Sequence, residues 1–198
     1  MRRILPKAFF NRPTLTVARE LLGKFLVRRI GRKPVAMMLT EIEAYDGPHD
    51  RASHASRGLT PRNKIMFGEA GHLYIYFTYG MHWMLNVVTG PKGYPAAVLI
   101  RAGIPAQGLP KVEGPARHRY NQALAGGPAR LTKYLRIGKN FNGKPATKKT
   151  GLWLEDRRVK IRERDITLSK RIGVEYAGAW AKKPYNFKLR LPASKSRA

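Results

Sequence analysis

The sequence contains no cysteine, so disulfide bonds and zinc sites built from thiolate ligands are excluded. No apolar run approaches the roughly 18 residues that a membrane-spanning helix needs. The sequence also offers neither a basic amphipathic helix nor a lipidation signal. Near Met1, Pro6 and Lys7 interrupt any secretory core. These absences predict a cytoplasmic protein without membrane attachment.

Acidic residues are scarce, and the resulting charge imbalance indicates a polyanionic partner. The chain has 39 lysines and arginines against 12 acids, which gives a net charge of +27. Self-repulsion on this scale destabilises a compact protein. We therefore expect the charge to serve binding, and nucleic acid is the commonest polyanion. The basic stretches cover residues 117–149 and 182–197, where no acid occurs.

The apolar periodicity predicts a single compact domain of the α+β class. Hydrophobic residues make up 43% of the 198 positions, enough for a sizeable core. Because strands mix with few helices and show no βαβ rhythm, we expect a curved, largely antiparallel sheet with surrounding helices and a protruding β-hairpin. Helices are predicted over residues 11–23, 60–67 and 127–135, and strands over residues 25–30, 35–43, 72–77, 83–88, 96–104, 159–162 and 187–191, with another around Trp153.

The ends of this domain follow from composition. We expect the domain to cover residues 1–191, with residues 192–198 as a flexible C-terminal tail. Residues 105–126 are rich in proline and glycine and are predicted to form a loop or a loose helix.

Residues 38–54 place four acids, a tyrosine and two histidines where an apolar strand ends. A carboxylate at the end of a buried strand is unfavourable unless it is paired or used in chemistry. A general base needs such a shielded carboxylate with room for a water molecule. Glu41 and Glu43 both qualify, because strand periodicity puts them on one face. An ion pair with one of the many arginines is the alternative.

A metal-binding site is the alternative interpretation of this acidic stretch. The available ligands are Glu43, Asp46, His49, Asp50 and His54. The stretch lacks the His-x-x-x-His and Glu-x-x-His spacings of helical metal sites, and its loop contains Gly-Pro. We therefore expect neither a metal nor another cofactor.

A second cluster is aromatic and belongs to a predicted hairpin formed by residues 72–88. Such a cluster is ordinarily the aromatic face of a sheet core. Tyr79, however, lies at the turn beside Gly80, where burial is hard to arrange. An exposed aromatic ring on a basic protein favours stacking on nucleic acid or insertion into it.

Two polar residues interrupt apolar strands nearby. Asn86 lies in a run that is otherwise apolar, and a buried amide demands hydrogen-bond partners. It either fixes the backbone or recognises the polar edge of a ligand. Arg101 ends another apolar run. It can orient a carboxylate or a water molecule, or it is simply a solvated strand end.

Several short motifs follow one another along the chain. They are residues 40–45 (TEIEAY), 46–48 (DGP), 60–63 (TPRN), 71–76 (GHLYIY), 79–81 (YGM), 98–101 (VLIR), 126–128 (GGP), 171–173 (RIG) and 177–184 (AGAWAKKP), together with His54 and Asn86. Taken together, these motifs resemble the alkyladenine (3-methyladenine, methylpurine) DNA glycosylase family. The resemblance is collinear and extends over roughly residues 8–191 of this chain.

The resemblance implies roles for individual residues. Glu43 corresponds to the general base, and Arg101 and the backbone carbonyl of Ile172 correspond to groups that help hold the attacking water. The base pocket corresponds to Tyr45, His54, Tyr76 and Asn86. Tyr79 corresponds to the side chain that fills the gap left by the extruded nucleotide. Further DNA contacts are implied for Arg62, Asn63, Met81, His82, Lys182 and Lys183.

The implied function is monofunctional base excision from double-stranded DNA that contains alkylated or deaminated purines. The implied products are a free base and an abasic site, the enzyme needs no metal, and it is a monomer. It would be nucleoid-associated in a bacterium and nuclear in a eukaryote. The bulky residues 82–85 and the short loop between His54 and Thr60 depart from some family members and affect the expected lesion range.

Two other classes remain open at this point. A non-catalytic basic nucleic-acid-binding protein would use residues 117–149 and 182–197 equally well, but it would leave Glu43, Tyr45 and His54 unexplained. A metal-dependent nuclease would break strands in place of releasing bases.

Overall fold

One antiparallel sheet organises the fold in the computed structural model, which describes residues 2–108 and 126–190. Within these residues the strands run in the order β1-β7-β2-β3-β6-β5-β4, with β9 pairing with β3 and β8 pairing with β9. The strands are β1 (Arg3–Ile4), β2 (Phe25–Ile30), β3 (Lys33–Tyr45), β4 (Leu73–Thr78), β5 (His82–Val88), β6 (Ala97–Gln107), β7 (Leu152–Asp156), β8 (Ile166–Ser169) and β9 (Asn186–Leu189).

Short helices surround the sheet. They are α1 (Lys7–Phe10), α2 (Thr14–Leu21) and α3 (Pro128–Tyr134), with 3-10 helices at His54–Arg57, Lys64–Phe67, Lys139–Phe141, Glu163–Asp165 and Glu175–Lys182. Among the described residues, no helix is long and apolar enough to cross a membrane. The helix α2 buries Val17, Ala18 and Leu21 against the sheet side of the core.

The predicted α+β class with a largely antiparallel sheet is confirmed, and so is the hairpin tip at residues 79–81. The strand predicted over residues 159–162 is wrong. Its alternating side chains lie in irregular backbone, where Ile161 packs over Gly23, and the strand begins only at Ile166. The helix predicted over residues 60–67 is a turn followed by a 3-10 helix. Residues 109–125 and the proposed tail, residues 192–198, lie outside the described residues.

The long strand β3 holds the sheet together because it uses both of its edges. Along one edge it pairs with β6, and along the other it pairs first with β2 and then with β9. Its register against β6 shifts on either side of Glu41. Such a bulge bends a strand and increases its twist. The bend allows β9 to take over from β2 on the same edge of β3.

Alternation along the strands divides the residues around Glu43 between two faces of the sheet. One face joins the main hydrophobic core with the helices α2 and α3, and its residues include Ile42, Ala44, Leu73, Ile75, Leu85, Val87, Val98 and Ile100. The other face carries Glu43, Leu99, Asn86 and Tyr74 in one transverse row. The polar row therefore lies on the face of the sheet opposite to the one that packs against the main hydrophobic core.

The strands β3 and β6 approach each other closely at the bulge, and this contact allows the arrangement to be tested by mutation. A methyl group added at Gly103 would lie 2.9 Å from the Met38 carbonyl oxygen, so β3 and β6 would have to separate. We expect Gly103→Ala to lower the free energy of unfolding by about 1–3 kcal/mol, measured as a lower urea midpoint at unchanged slope. The matched control is Gly138→Ala, whose added methyl finds no atom within 3.4 Å. Equal midpoints for the two variants would contradict the packing argument.

Candidate active site

A single row of residues across five strands forms the base of the candidate site. Glu43 on β3 lies opposite Asn186 on β9 and opposite Leu99 on β6, and Leu99 lies opposite Asn86 on β5. Asn86 in turn lies opposite Tyr74 on β4. Residues paired in this way project from the same face of an antiparallel sheet. Sheet register therefore brings together side chains that are far apart in sequence.

The Glu43 carboxylate has no exposed surface and accepts four hydrogen bonds. The Ile172 backbone N–H (2.9 Å) and the Asn186 Nδ2 (3.1 Å) donate to Oε1. The Tyr45 hydroxyl (2.9 Å) and the Arg101 Nη1 (3.2 Å) donate to Oε2. Four donors match the four lone-pair sites of an ionised carboxylate. The sequence predicted that an acid at this position either takes part in chemistry or forms an ion pair. In the structure Glu43 is paired with the cationic Arg101 and also accepts from three neutral donors.

Glu41 has a different environment, which alternation alone could not reveal. It accepts from the Arg101 Nε at 3.1 Å and from the Asn186 Nδ2 at 3.0 Å. The exposed Lys188 ammonium is a third partner at 3.6 Å. The Arg101 and Asn186 side chains thus bridge the two acids. Glu41 and Arg101 form an ion pair at the edge of the site, whereas Glu43 lies closer to the aromatic residues.

A cavity of about 390 Å³ opens on the site face of the sheet. This volume lies within the range of about 300–1,000 Å³ usual for ligand pockets. Seven of the residues predicted for the site line it, namely Tyr45, His54, Tyr76, Tyr79, Asn86, Arg101 and Ile172. Glu43 does not line the cavity, because Tyr45, Arg101 and Ile172 stand in front of it and donate to it.

Two aromatic side chains form a packed wall of this cavity, and a third supports them from behind. The rings of His54 and Tyr76 meet edge to face with centroids 4.6 Å apart, and Tyr74 lies behind them, 5.4 Å from Tyr76. The Tyr74 hydroxyl lies 2.8 Å from the His54 Nδ1. Burial raises the pKa of Tyr74 to about 12, so the phenol stays protonated at neutral pH. This contact fixes the orientation of the imidazole ring.

Burial also determines the charge states of the cavity side chains. It lowers the pKa of His54 to about 4, with the nearby charge of Arg62 as the second cause. His54 is therefore neutral at physiological pH. Burial, followed by the negative charge of Glu43, raises the pKa of Tyr45 well above its usual range. The Tyr45 phenol thus remains a hydrogen-bond donor to Glu43.

The hairpin tip presents an exposed aromatic ring on an unusual backbone. Tyr79 has a φ of 51° and Gly80 a φ of 64°, and the turn closes through a Met81 N–H to Thr78 carbonyl bond of 3.2 Å. Positive φ at both central residues suits a type I′ hairpin turn, yet it is unfavourable for a bulky side chain. Tyr79 is 79% exposed all the same. Strained, exposed residues of this kind cluster at functional sites.

Asn63, for which the resemblance implied a DNA contact, lies behind the wall of the cavity. Its side chain is buried, and its amide donates to the carbonyls of His54 (2.9 Å) and Gly58 (2.8 Å). Its Oδ1 accepts from the Thr60 N–H at 2.7 Å. These bonds commit the polar atoms of Asn63 to the loop that carries His54. Its role in the structure is to hold the cavity wall from behind.

The remaining residues implied as DNA contacts lie on or near the surface. Arg62 is exposed and lies over the Tyr76 ring at 5.1 Å, and Met81 and Lys182 are also exposed. His82 is half-buried. The Lys183 ammonium lies 4.3 Å from the Trp180 ring, so part of its contact surface is already used within the protein.

Sequence reasoning missed two members of the site. Asn186 donates to both acids from a strand whose apolar pattern gave no sign of it. Arg171 is buried and forms a bidentate ion pair with Asp50, which the sequence had offered as a metal ligand. Arg171 belongs to the motif at residues 171–173 that supports the resemblance, but nothing in the charge pattern of so basic a chain indicated that this arginine is buried. Among the described residues, no group of three or more histidines and acids could hold a metal ion.

The charge state of His54 can be tested by titration. We expect its imidazole to titrate near pH 4, measured from NMR shifts, and Arg62→Gln to raise that value only in part, because burial is the larger cause. The unfolded chain binds this proton near pH 6.5, so stability falls as pH drops from about 6.5 to 4. His54→Asn should lose less stability over that window. A His54 pKa near 6.5 in the folded protein would contradict the burial argument.

Known proteins match this chain over almost its full length. A relative from Methanocella arvoryzae is 44% identical, with 93% of this chain and 91% of its own covered. Relatives from Anaeromyxobacter dehalogenans (strain 2CP-C; 44%, covering 98% and 86%) and Myxococcus xanthus (42%, covering 94% and 90%) are similar. All three are named "Putative 3-methyladenine DNA glycosylase". Residues 8–192 match the model described as "Methylpurine-DNA glycosylase (MPG)". The predicted resemblance is confirmed: the chain belongs to the methylpurine-DNA glycosylase family, hydrolases of N-glycosyl bonds.

Proposed function

We propose that this protein excises alkylated or deaminated purines from double-stranded DNA through a water molecule activated by Glu43. The observation that carries the proposal is the position of that carboxylate, fully buried and held by four donors directly behind an aromatic cavity. The aromatic wall suits a flat purine, and the carboxylate suits chemistry at the sugar that carries it.

Engagement of DNA begins with charge and with extrusion of the nucleotide. A base inside a duplex cannot reach a cavity, so the nucleotide must rotate out of the stack at an unstacking cost of a few kcal/mol, which is smaller for a damaged pair. The net charge of +27 supplies affinity for phosphates. The exposed Tyr79 ring is placed to fill the vacated stack. Arg62, Met81, His82 and Lys182 are proposed to contact the flanking DNA, and Lys183 to assist them.

The aromatic cavity favours a base that carries positive charge. Alkylation at N3 or N7 of a purine makes the ring cationic, and a desolvated cation–π contact contributes on the order of 1–2 kcal/mol. Tyr45 and Tyr76 supply electron-rich faces, while the neutral His54 adds no repulsive charge. Asn86 on the cavity floor uses its Nδ2 to bind the Tyr74 carbonyl at 3.1 Å. Its Oδ1 is proposed to discriminate among purine edges.

Hydrolysis requires that Glu43 reach a water molecule, and one of its donors must yield to permit this. Arg101 lines the cavity and makes the longest of the four contacts, 3.2 Å. The water oxygen forms a bond to C1′ as the bond to the purine nitrogen breaks, and the electron pair leaves with the base. Glu43 takes a proton from the water and stabilises the oxocarbenium-like sugar. The Ile172 N–H holds the carboxylate, and its carbonyl is proposed to contact the water.

The products are a free purine and an abasic site, and the proposed reaction includes no Schiff base with a lysine. We propose that the protein acts as a monomer on chromosomal DNA in the cytoplasm, or in a nucleus where one exists. Neither a metal nor a cofactor enters the reaction as proposed.

Replacement of Glu43 tests the assignment of the base. Glu43→Gln cannot accept a proton and should lower the single-turnover rate of base release by about 10²–10⁴-fold. Binding to the same methylated duplex, measured by fluorescence anisotropy, should change little. The rate is measured as free 3-methyladenine or 7-methylguanine released from methylated DNA.

The neighbouring acid supplies the matched control. Glu41→Gln removes a charge from the same Arg101 and Asn186 network but leaves the Glu43 carboxylate in place. It should keep most of its activity. Equal losses in the two variants would show that the network, and not Glu43, limits the reaction. Near-normal turnover in Glu43→Gln would overturn the assignment.

Replacement of Tyr79 separates folding from lesion engagement. Asparagine tolerates positive φ better than tyrosine does, so Tyr79→Asn should unfold at the same temperature as the native protein or higher. Its affinity for lesion-containing duplex should fall by about 1–3 kcal/mol, the worth of a stacked ring. Salt-sensitive binding to undamaged DNA should persist. As a control, Leu168→Asn removes an exposed apolar side chain away from the cavity and should leave both affinities unchanged. Unaltered lesion affinity in Tyr79→Asn would exclude the wedge role.

A further inference from the structure

Arg171 is a buried cation in a chain whose surface is already strongly basic. Its guanidinium forms a bidentate ion pair with Asp50, in which both side chains have no exposed surface. Its Nη1 also donates to the Ala44 carbonyl at 2.9 Å, and its Nη2 to the Trp180 carbonyl at 3.2 Å. One side chain therefore joins the end of β3, the loop after it, and the 3-10 helix at Glu175–Lys182.

The anchor on the acidic side is itself rigid. The Asp50 carboxylate accepts from the backbone N–H groups of Asp46 and Ala52, each at 3.1 Å. A carboxylate fixed by two amides presents both oxygens in a defined plane. The planar fork of a guanidinium matches such a carboxylate, whereas an ammonium cannot bridge two oxygens and two carbonyls in fixed directions.

Arg171 touches the active site at three adjoining points. Its chain neighbour Ile172 donates the backbone N–H that holds Glu43 Oε1. The Ala44 carbonyl that it binds lies between Glu43 and Tyr45 in sequence. Its guanidinium carbon is 4.8 Å from the centroid of the Tyr45 ring, which lines the cavity and donates to Glu43 Oε2. The geometry thus connects Arg171 to both oxygens of the carboxylate.

We propose that Arg171, locked by Asp50, is a positioning residue that fixes Glu43 and the Tyr45 wall relative to each other. This inference rests on the proposed function of Glu43 as the base. Arg171 does not line the cavity, so it acts through Ile172 and Tyr45 and not through contact with the nucleotide. A misplacement of about 1 Å in a reacting group can lower a rate by about 10²-fold.

Stability alone is a poor reason for this ion pair. Burial of two charges is often no better for stability than a well-packed apolar pair, because desolvation offsets their attraction. The contacts of Arg171 instead fix directions, since they hold three chain segments at one point. The two possible roles of Arg171 therefore predict different effects of its replacement. If Arg171 positions the site, replacement lowers the rate constant of the folded enzyme. If its role is only structural, replacement lowers the fraction of enzyme that is folded.

The test replaces Arg171 by lysine, which keeps the charge for Asp50 but loses the fork. Single-turnover base release from methylated duplex DNA is measured at saturating enzyme, so the rate constant reports folded molecules and the amplitude reports the active fraction. We expect the rate constant to fall by about tenfold or more, with little change in the dissociation constant for the same duplex. Circular dichroism and the thermal midpoint establish that the variant is folded.

The matched control is Arg157→Lys. Arg157 pairs with Glu155 at 2.7 Å, binds the Gln107 Oε1 at 3.1 Å and lies 4.4 Å from the Phe25 ring, so it resembles Arg171 in its contacts. Gln107 lies opposite Ala36 at the far end of β3, about 20 Å along the strand from Glu43. This variant should lose some stability but keep the native rate constant.

The outcomes separate the two proposals. No base release by the native protein would overturn the proposed function itself. Native release with an unchanged rate constant in folded Arg171→Lys would overturn only the positioning role. If Arg171→Lys fails to fold, Asp50→Asn is used instead, and the same loss of rate at unchanged affinity is expected. Asparagine keeps the shape of the side chain and one oxygen that accepts from one of the two amides, but it loses the charge and the second acceptor. Failure of both variants to fold would overturn the inference, because the ion pair would then be a requirement of folding.

Discussion

The need to satisfy one buried carboxylate links the distant parts of this structure. An isolated charge in an apolar interior is highly unfavourable unless donors replace the lost water. Glu43 meets this requirement with donors from its own strand, from β6, from β9 and from the segment that follows β8. The burial of Glu43 therefore depends on the correct pairing of several segments of the sheet. Any change that separates these segments would remove donors from Glu43 and disrupt the sheet at the same time.

The sheet makes this possible because its two faces have different tasks around Glu43. Ile42 and Ala44 point into the core, while Glu43 and Tyr45 point into the site. The apolar side supplies the free energy that keeps the strands in register, and the register places the polar row. The residues that stabilise the sheet and the residues that form the candidate site thus alternate along the same strands. The bulge beside Glu41 bends β3 without disturbing the row that starts at Glu43.

Local patterns predicted much of the fold and part of the site. Alternation gave most strands, and the acids at the end of an apolar run drew attention to Glu43, because those signals lie within a few residues. The strand predicted at residues 159–162 failed because alternation cannot reveal whether a neighbouring strand is present to pair with. Asn186 and the pairing of Arg171 with Asp50 were out of reach for the same reason, since each depends on contacts across more than a hundred residues. A non-catalytic nucleic-acid-binding protein would not need a buried glutamate that accepts four hydrogen bonds behind a cavity, so this alternative leaves Glu43 unexplained.

The transverse row also limits how this chain can change in length during evolution. Because side chains alternate with a period of two, insertion or deletion of one residue in β3 beyond the bulge would exchange the faces. Ile42 would then take the place of the buried carboxylate among its polar donors, and Glu43 would enter the apolar core. Lineages of this protein should therefore accumulate length variation in turns such as that at Gly31, where an added side chain meets nothing. Between Glu43 and Tyr45 the spacing should stay fixed even where residue identities drift.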